Sequence, residues 1–349
     1  MKKLILILIP ALFLYSCSQE DEEKVNDFFH AEVEGTQIPI LVKGNVSSNK
    51  IILFANGGPG LTAIDVGLTN LAKWEENIET EYAMAFFDQR GTGNTYAPID
   101  TSTITLKQFS DDMYAVIKVI KHHYPDARVY LMAHSFGGLS AADYLLNAEY
   151  KAELAGWICV NGHLVPKPSE SWKYRRTWLA HIAQVEIDKG NDIAKWEECQ
   201  AWLEKTPVIE TDEQKDQWRD YVGDSETGIV KDADASIPTG RVLKILFASN
   251  YNLFPAYMSD NWLVVLKTIQ RHYLQENYLE KIEGIDIPSL LIWGEYDDLV
   301  PFQIGEEAHD ILKAHGQSEL VIMKDAGHEP FLNDPEGYAR IVKDWVEKN

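Results

Sequence analysis

The sequence predicts an α/β protein in which a mostly parallel sheet is interrupted late by a helical insertion. Three observations carry that expectation. First, KIILFANGG, YAMAFFDQRG, ARVYLMAHS and LAGWICVNG are short apolar runs that each end in polar or glycine residues, as strands buried on both faces do. Second, stretches such as LKQFSDDMYAVIKVIKHHY lie between them, with apolar residues recurring at spacings of three and four, the helical period. Third, the alternation stops near His163, gives way to helical composition rich in Trp, Glu and Lys, and resumes at PSLLIWGEYDD and SELVIMKDAGH. The interruption is too long for a loop and has the size of a small domain or lid.

Taken in order, residues 1–17 have a basic start at Lys2 and Lys3, an apolar run from Leu4 to Tyr15, and then Cys17. The apolar run is too short for a permanent anchor, which needs about 20 residues, and has the form of a secretory signal. Leu14-Tyr15-Ser16-Cys17 resembles a bacterial lipobox, which makes Cys17 the expected site of lipidation. Residues 18–27 read as an acidic tether. FFHAEVEG and QIPILVKG follow as two strands joined at Gly35, and open a core expected over 28–162 and 287–349, with the helical lid at 163–286.

Composition narrows the function. With 45% hydrophobic and 25% charged residues the chain is globular, and a formal charge of -22 argues against nucleic acid as a partner. No CxxC, HExxH or His/Cys cluster suggests a metal, and the adjacent His122 and His123 point to different sides of a helix. Cys159 and Cys199 are expected as free thiols, since nothing in their spacing demands a disulfide.

LMAHSFGG followed by GLSAADYLLNAEY places Ser135 between a strand and a helix, the context of a nucleophile held up on a sharp turn. Ala133 stands where glycine is usual, while Gly137 and Gly138 give freedom on the helix side. A serine hydroxyl needs a base, and the base needs an acid to fix its tautomer. In this architecture both lie downstream at the ends of later strands, in the order Ser, Asp, His. Asp297 and Asp298 follow the strand ending near Trp293, and His328 follows the next one. Glycine-rich NGGPG, Asn56 to Gly60, can turn backbone N–H groups toward a developing oxyanion, together with the N–H of Phe136.

NGGPG, DQRGTGNT, AHSFGG, GEYDDLVP and AGHEPF, in this order, closely resemble the proline iminopeptidase family of α/β-hydrolases. Its members typically show HGGPG, DQRGxGxS, GxSxGG, an Asp in GxxDxxxP and a His in GH. The resemblance spans roughly Phe28 to Gly162 and Ile287 to Asn349. It implies an α/β-hydrolase fold, with an eight-stranded mostly parallel sheet and the lid inserted after the sixth strand. It also implies Ser135 as nucleophile, His328 as base and Asp297 as acid, because Asp297 stands three residues after Gly294; Asp298 is the reserve. Gly58 and Phe136 would supply the oxyanion N–H groups. Asn56, Thr95 and Ala133 depart from the motifs without removing a triad member.

In the family the lid carries acidic residues that hold the substrate's α-ammonium group. Glu197, which follows Trp196, and Glu204 are the candidates here, while Trp172, Trp178, Trp196, Trp202 and Trp218 read as packing. The expected activity is hydrolysis of short peptides with a free N-terminus, proline first, through an acyl-enzyme and without a cofactor. A carboxylesterase or other amide hydrolase on the same triad is the alternative, and a non-catalytic peptide-binding surface lipoprotein a second one. The expected partners are a small peptide or ester and, through the N-terminal lipid, the outer membrane of a Gram-negative-type envelope, on its periplasmic or surface face.

Overall fold

The computed structural model describes residues 24–95, 98–223 and 236–349; the expected signal, Cys17 and the expected tether up to residue 23 lie outside the described residues. Eight strands form one sheet: β1 (Lys24–Val33), β2 (Thr36–Asn45), β3 (Lys50–Ala55), β4 (Ala83–Phe87), β5 (Arg128–His134), β6 (Gly156–Val160), β7 (Ser289–Gly294) and β8 (Ser318–Met323). Their spatial order is β1-β2-β4-β3-β5-β6-β7-β8. The β1–β2 and β2–β4 pairs are antiparallel and the other pairs parallel.

One expectation needs correction. Lys24, Val25, Asn26 and Asp27, included in the tether over residues 18–27, pair with Asn45 back to Val42 as the first part of β1. Polar residues are at home there because β1 is the sheet edge, where charge discourages pairing with other chains.

The central strands are apolar throughout because successive side chains enter two different cores. Ile51, Leu53 and Ala55 of β3, with Val129, Leu131 and Ala133 of β5, face one core. Helices α2 (Leu106–His123), α3 (Phe136–Leu145) and α10 (Phe302–His315) cover it, being numbered by their place in the chain after α1 (Ile64–Thr69). Ile52, Phe54, Tyr130 and Met132 face the other, under α1, Trp74 and α11 (Pro335–Lys348).

Between β6 and β7 lie α4 (Pro168–Lys189), α5 (Ile193–Lys205), α6 (Asp212–Val222), α7 (Thr239–Ala248), α8 (Leu253–Met258) and α9 (Asn261–Tyr273). Pro168 opens α4, where its missing N–H costs nothing, and Gly190 at φ +77 closes it. From β3 the chain moves to β4 on one side and then to β5 on the other. Such a reversal opens a crevice at the carboxyl ends of β3 and β5. Every candidate catalytic group is delivered to that crevice.

Candidate active site

Ser135 leaves β5 at φ 54 and ψ -120, a backbone conformation costly for a residue with a side chain, and caps the start of α3. The turn is so tight that its neighbours must be small. A Cβ on Gly137 would lie 2.2 Å from the Ala55 carbonyl oxygen, and one on Gly138 2.6 Å from Gly162 Cα. Ala133 fits because its cross-strand neighbours, Ala55 and Cys159, are themselves small.

The loops after β7 and β8 bring two further groups to Ser135. His328 Nε2 lies 3.0 Å from Ser135 Oγ, and His328 Nδ1 lies 2.8 Å from Asp297 Oδ2. A carboxylate only accepts, so Nδ1 carries the proton and Nε2 presents its lone pair to the serine hydroxyl. Asp297 is fully buried and well satisfied. Its Oδ1 accepts from the N–H groups of Leu299 at 3.0 Å and Val300 at 2.9 Å. Its Oδ2 accepts from Asn161 Nδ2 and His328.

Thus the imidazole is paired with Asp297 and not with the reserve, Asp298. Burial pulls the His328 pKa down, but Asp297 more than reverses this through its charge and hydrogen bond, and the net value is above that of an ordinary histidine. His134, just before the nucleophile, packs its ring 4.8 Å from that of His328 and lies with Nε2 2.9 Å from the His328 carbonyl oxygen. Burial drives its pKa down to about 3, so it is neutral and donates Nε2–H to that carbonyl.

NGGPG is held in place from several directions. Asn56 donates Nδ2–H to the Thr62 carbonyl at 2.6 Å and accepts the Gly57 N–H at 2.8 Å. Gln89 donates to the carbonyls of Asn56 and Gly57 and accepts from the Gly60 N–H. Gly58 has φ +107, which favours glycine, and its N–H donates no hydrogen bond among the described residues. The same is true of the Phe136 N–H at the start of α3. Two N–H groups without partners beside a serine are what an oxyanion would use.

Asp88 ties this side together. Its carboxylate accepts the N–H groups of Ala63, Ile64 and Asn94 and the Tyr251 hydroxyl. Arg90 forms a buried bidentate pair with Asp112 of α2, at 2.7 and 2.6 Å.

The family described as "Serine aminopeptidase, S33" matches residues 76–235. A probable aminopeptidase, YbaC, of Bacillus subtilis (strain 168) is 21% identical over 319 residues, covering 89% of this chain and 93% of that protein. A proline iminopeptidase of Thermoplasma volcanium is 25% identical over 322 residues, covering 92% and 96%. Among solved structures, an esterase from Exiguobacterium antarcticum superposes with a TM-score of 0.56 at 18% identity, over 93% of this chain and all of its own. That likeness spans the sheet and the surrounding helices alike. The chain has the α/β-hydrolase fold.

The helices inserted between β6 and β7 correct one expectation. Glu197 and Glu204 are both exposed, because α5 turns Trp196, Cys199 and Leu203 inward onto α4 and leaves the glutamates on the outer side. Among the described residues no hydrogen bond or ion pair connects either one to the triad.

What α4 does contribute is a clamp on the loop that carries Asp297. Trp178 Nε1 donates to the Glu295 carbonyl, His181 Nε2 lies 3.0 Å from the Glu295 carboxylate, and Arg175 donates to the Leu299 carbonyl. The Arg175 guanidinium also lies 5.1 Å from the Trp172 ring centre and 5.5 Å from that of Trp218. The other half of the lid is fixed to the oxyanion side. Besides the Tyr251 bond, Asn94 donates to the Asn252 carbonyl, and Arg241 of α7 pairs with both oxygens of Glu75.

Next to the nucleophile, Phe136, His163 and Tyr273 pack together, with ring centres 5.5 Å apart for Phe136 and Tyr273 and 6.3 Å for His163 and Tyr273. Asp298, beside Asp297 in the chain, has a buried carboxylate oxygen, Oδ2, that lacks a hydrogen-bond partner among the described residues. Burial pushes its pKa up to about 6, with Asp297 adding to the rise and Arg175 opposing it. On the His328 side a cavity of about 460 Å³ opens between the NGGPG loop, α1, α8 and α9, lined in part by Asn56, Gly60, Asp65, Trp262 and Glu329.

Gln89, His134, Asn161 and Arg175 are the site residues that reading the sequence did not single out. Gln89 lies inside the quoted DQRG run, and His134 inside AHSFGG, so both were in view. Their partners, however, are distant in the chain, as with Asn161 and Asp297, and local pattern does not show such pairs. Cys159 and Cys199 are buried free thiols.

Proposed function

We propose that this protein is a serine hydrolase that works through an acyl-enzyme on Ser135. The observation that carries the reading is the continuous chain Ser135–His328–Asp297 beside two unpartnered N–H groups. Ser135 Oγ attacks the substrate carbonyl while His328 Nε2 takes its proton, and Asp297 stabilises the imidazolium that forms. The N–H groups of Gly58 and Phe136 receive the oxyanion. His328 then gives its proton to the departing group as the bond to it breaks. Water, deprotonated by the same nitrogen, releases the acid and restores Ser135.

For the substrate we infer a short peptide with a free N-terminus, cleaved after its first residue, with proline as the preferred case. The aminopeptidase names of the full-length relatives support this. A second reading, hydrolysis of a short ester, is favoured by the outward position of Glu197 and Glu204 on α5. Kinetics on an unblocked prolyl amide, its N-blocked counterpart and a short acyl ester separate the two. The aminopeptidase reading expects the unblocked amide to be preferred over the blocked one by at least tenfold in kcat/KM. Equal rates on the two amides refute it.

A further inference from the structure

The lid presents an unusual surface beside the cavity. Phe254 and Met258, one turn apart on α8, are 63% and 79% exposed, and Trp262 at the start of α9 and Leu61 after the NGGPG loop are 43% and 47% exposed. Trp262 and Leu61 also line the cavity, as do Pro255 of α8 and Ser259 just after it. The apolar surface is therefore continuous with the cavity and forms its outer rim. Large side chains of this kind grouped at the mouth of a site mark a place where something apolar docks.

The reaction says what that is. His328 must protonate the departing group, so that group leaves past His328, and Glu329, the next residue, is one wall of the cavity.

We propose that Leu61, Phe254, Met258 and Trp262 form a docking ledge for apolar side chains in the departing part of a peptide substrate. This rests on the peptidase reading above. Aromatic rings and a flexible methionine adapt to varied apolar side chains, so the ledge selects for hydrophobicity without demanding one sequence. It also explains why these residues remain uncovered in the folded chain.

The test compares two unblocked peptides that share their first residue, Pro-Phe-Leu-Phe amide and Pro-Gly-Ser-Gln amide, on the full chain and on a Phe254→Ser, Met258→Ser double variant. Both positions project into solvent, so the variant keeps its fold. The expected result is a kcat/KM about tenfold or more higher for the apolar peptide, mainly through KM, with the ratio falling to near one in the variant. A ratio near one in the unaltered protein, or a ratio that the double variant leaves unchanged, overturns the ledge while leaving the peptidase reading intact. Cleavage of neither peptide, with turnover of the short ester, overturns both. Co-sedimentation with phosphatidylcholine vesicles that the double variant loses would assign the rim to a bilayer and also overturn the proposal.

Discussion

His328 serves as a base only when it is neutral, and its surroundings decide at what pH that is. Burial favours the neutral ring, but the charge and hydrogen bond of Asp297 outweigh it and raise the pKa above the ordinary histidine value. Protonation as pH falls through this raised pKa removes the lone pair facing Ser135. The acid limb of the kcat/KM profile is therefore expected to have its midpoint above about 6.5, the unperturbed histidine value. In Asp297→Asn the largest upward influence is gone while burial remains, with only the charges of Glu329 and Asp298 still opposing it, so the midpoint moves down and the maximal rate falls by about 10⁴. Stopped assays across pH 5 to 9 check both shifts, and a midpoint that stays put in the variant would mean that Asp297 does not set this pKa. His134 leaves the profile alone on its own account, because its pKa of about 3 keeps it neutral throughout.

The loop after β3 packs directly against Ser135, and space there is scarce. A Cβ on Gly57 would lie 2.8 Å from Ser135 Cβ and 3.3 Å from its Oγ, while the Gly57 backbone does not have a positive φ. Gly57→Ala thus demands no positive φ but forces the nucleophile or the loop to shift. It is expected to lower kcat/KM by about a hundredfold, the scale of an ångström-sized misplacement, with a cost in stability of about 1–3 kcal/mol that leaves the protein folded at assay temperature. Gly284→Ala, whose Cβ meets nothing within 4 Å, is the matching control and should leave activity unchanged. Undiminished activity in Gly57→Ala would place the reacting atoms elsewhere. The lid helices show the same economy in another form. α4 holds the loop bearing Asp297, while Tyr251 and Arg241 hold the oxyanion side.

At the scale of the whole molecule, the alternation of strands and helices was legible because each central strand is buried on both faces and reads as an unbroken apolar run. The triad was legible through its order and through glycines that a tight turn requires, such as Gly137. The start of β1 was not, since Lys24 to Asp27 are polar enough to pass for linker while an edge strand accepts such residues. Nor was the position of the lid carboxylates. The helical period of Trp196, Cys199 and Leu203 assigns the inner face of α5, and Glu197 and Glu204 fall outside it. A resemblance in motif does not override that geometry. Gln89, Asn161 and Arg175 act through contacts far apart in the chain, and only the fold brings them to the loops they hold.

The central claim is that Ser135 is an activated nucleophile, and covalent labelling tests it most directly. The full chain is treated with a fluorophosphonate, its intact mass is measured, and the adduct is mapped by peptide. The account predicts a single adduct on Ser135, absent in Ser135→Ala and formed much more slowly in His328→Ala. A folded protein that stays unlabelled, or an adduct on another residue, would contradict it.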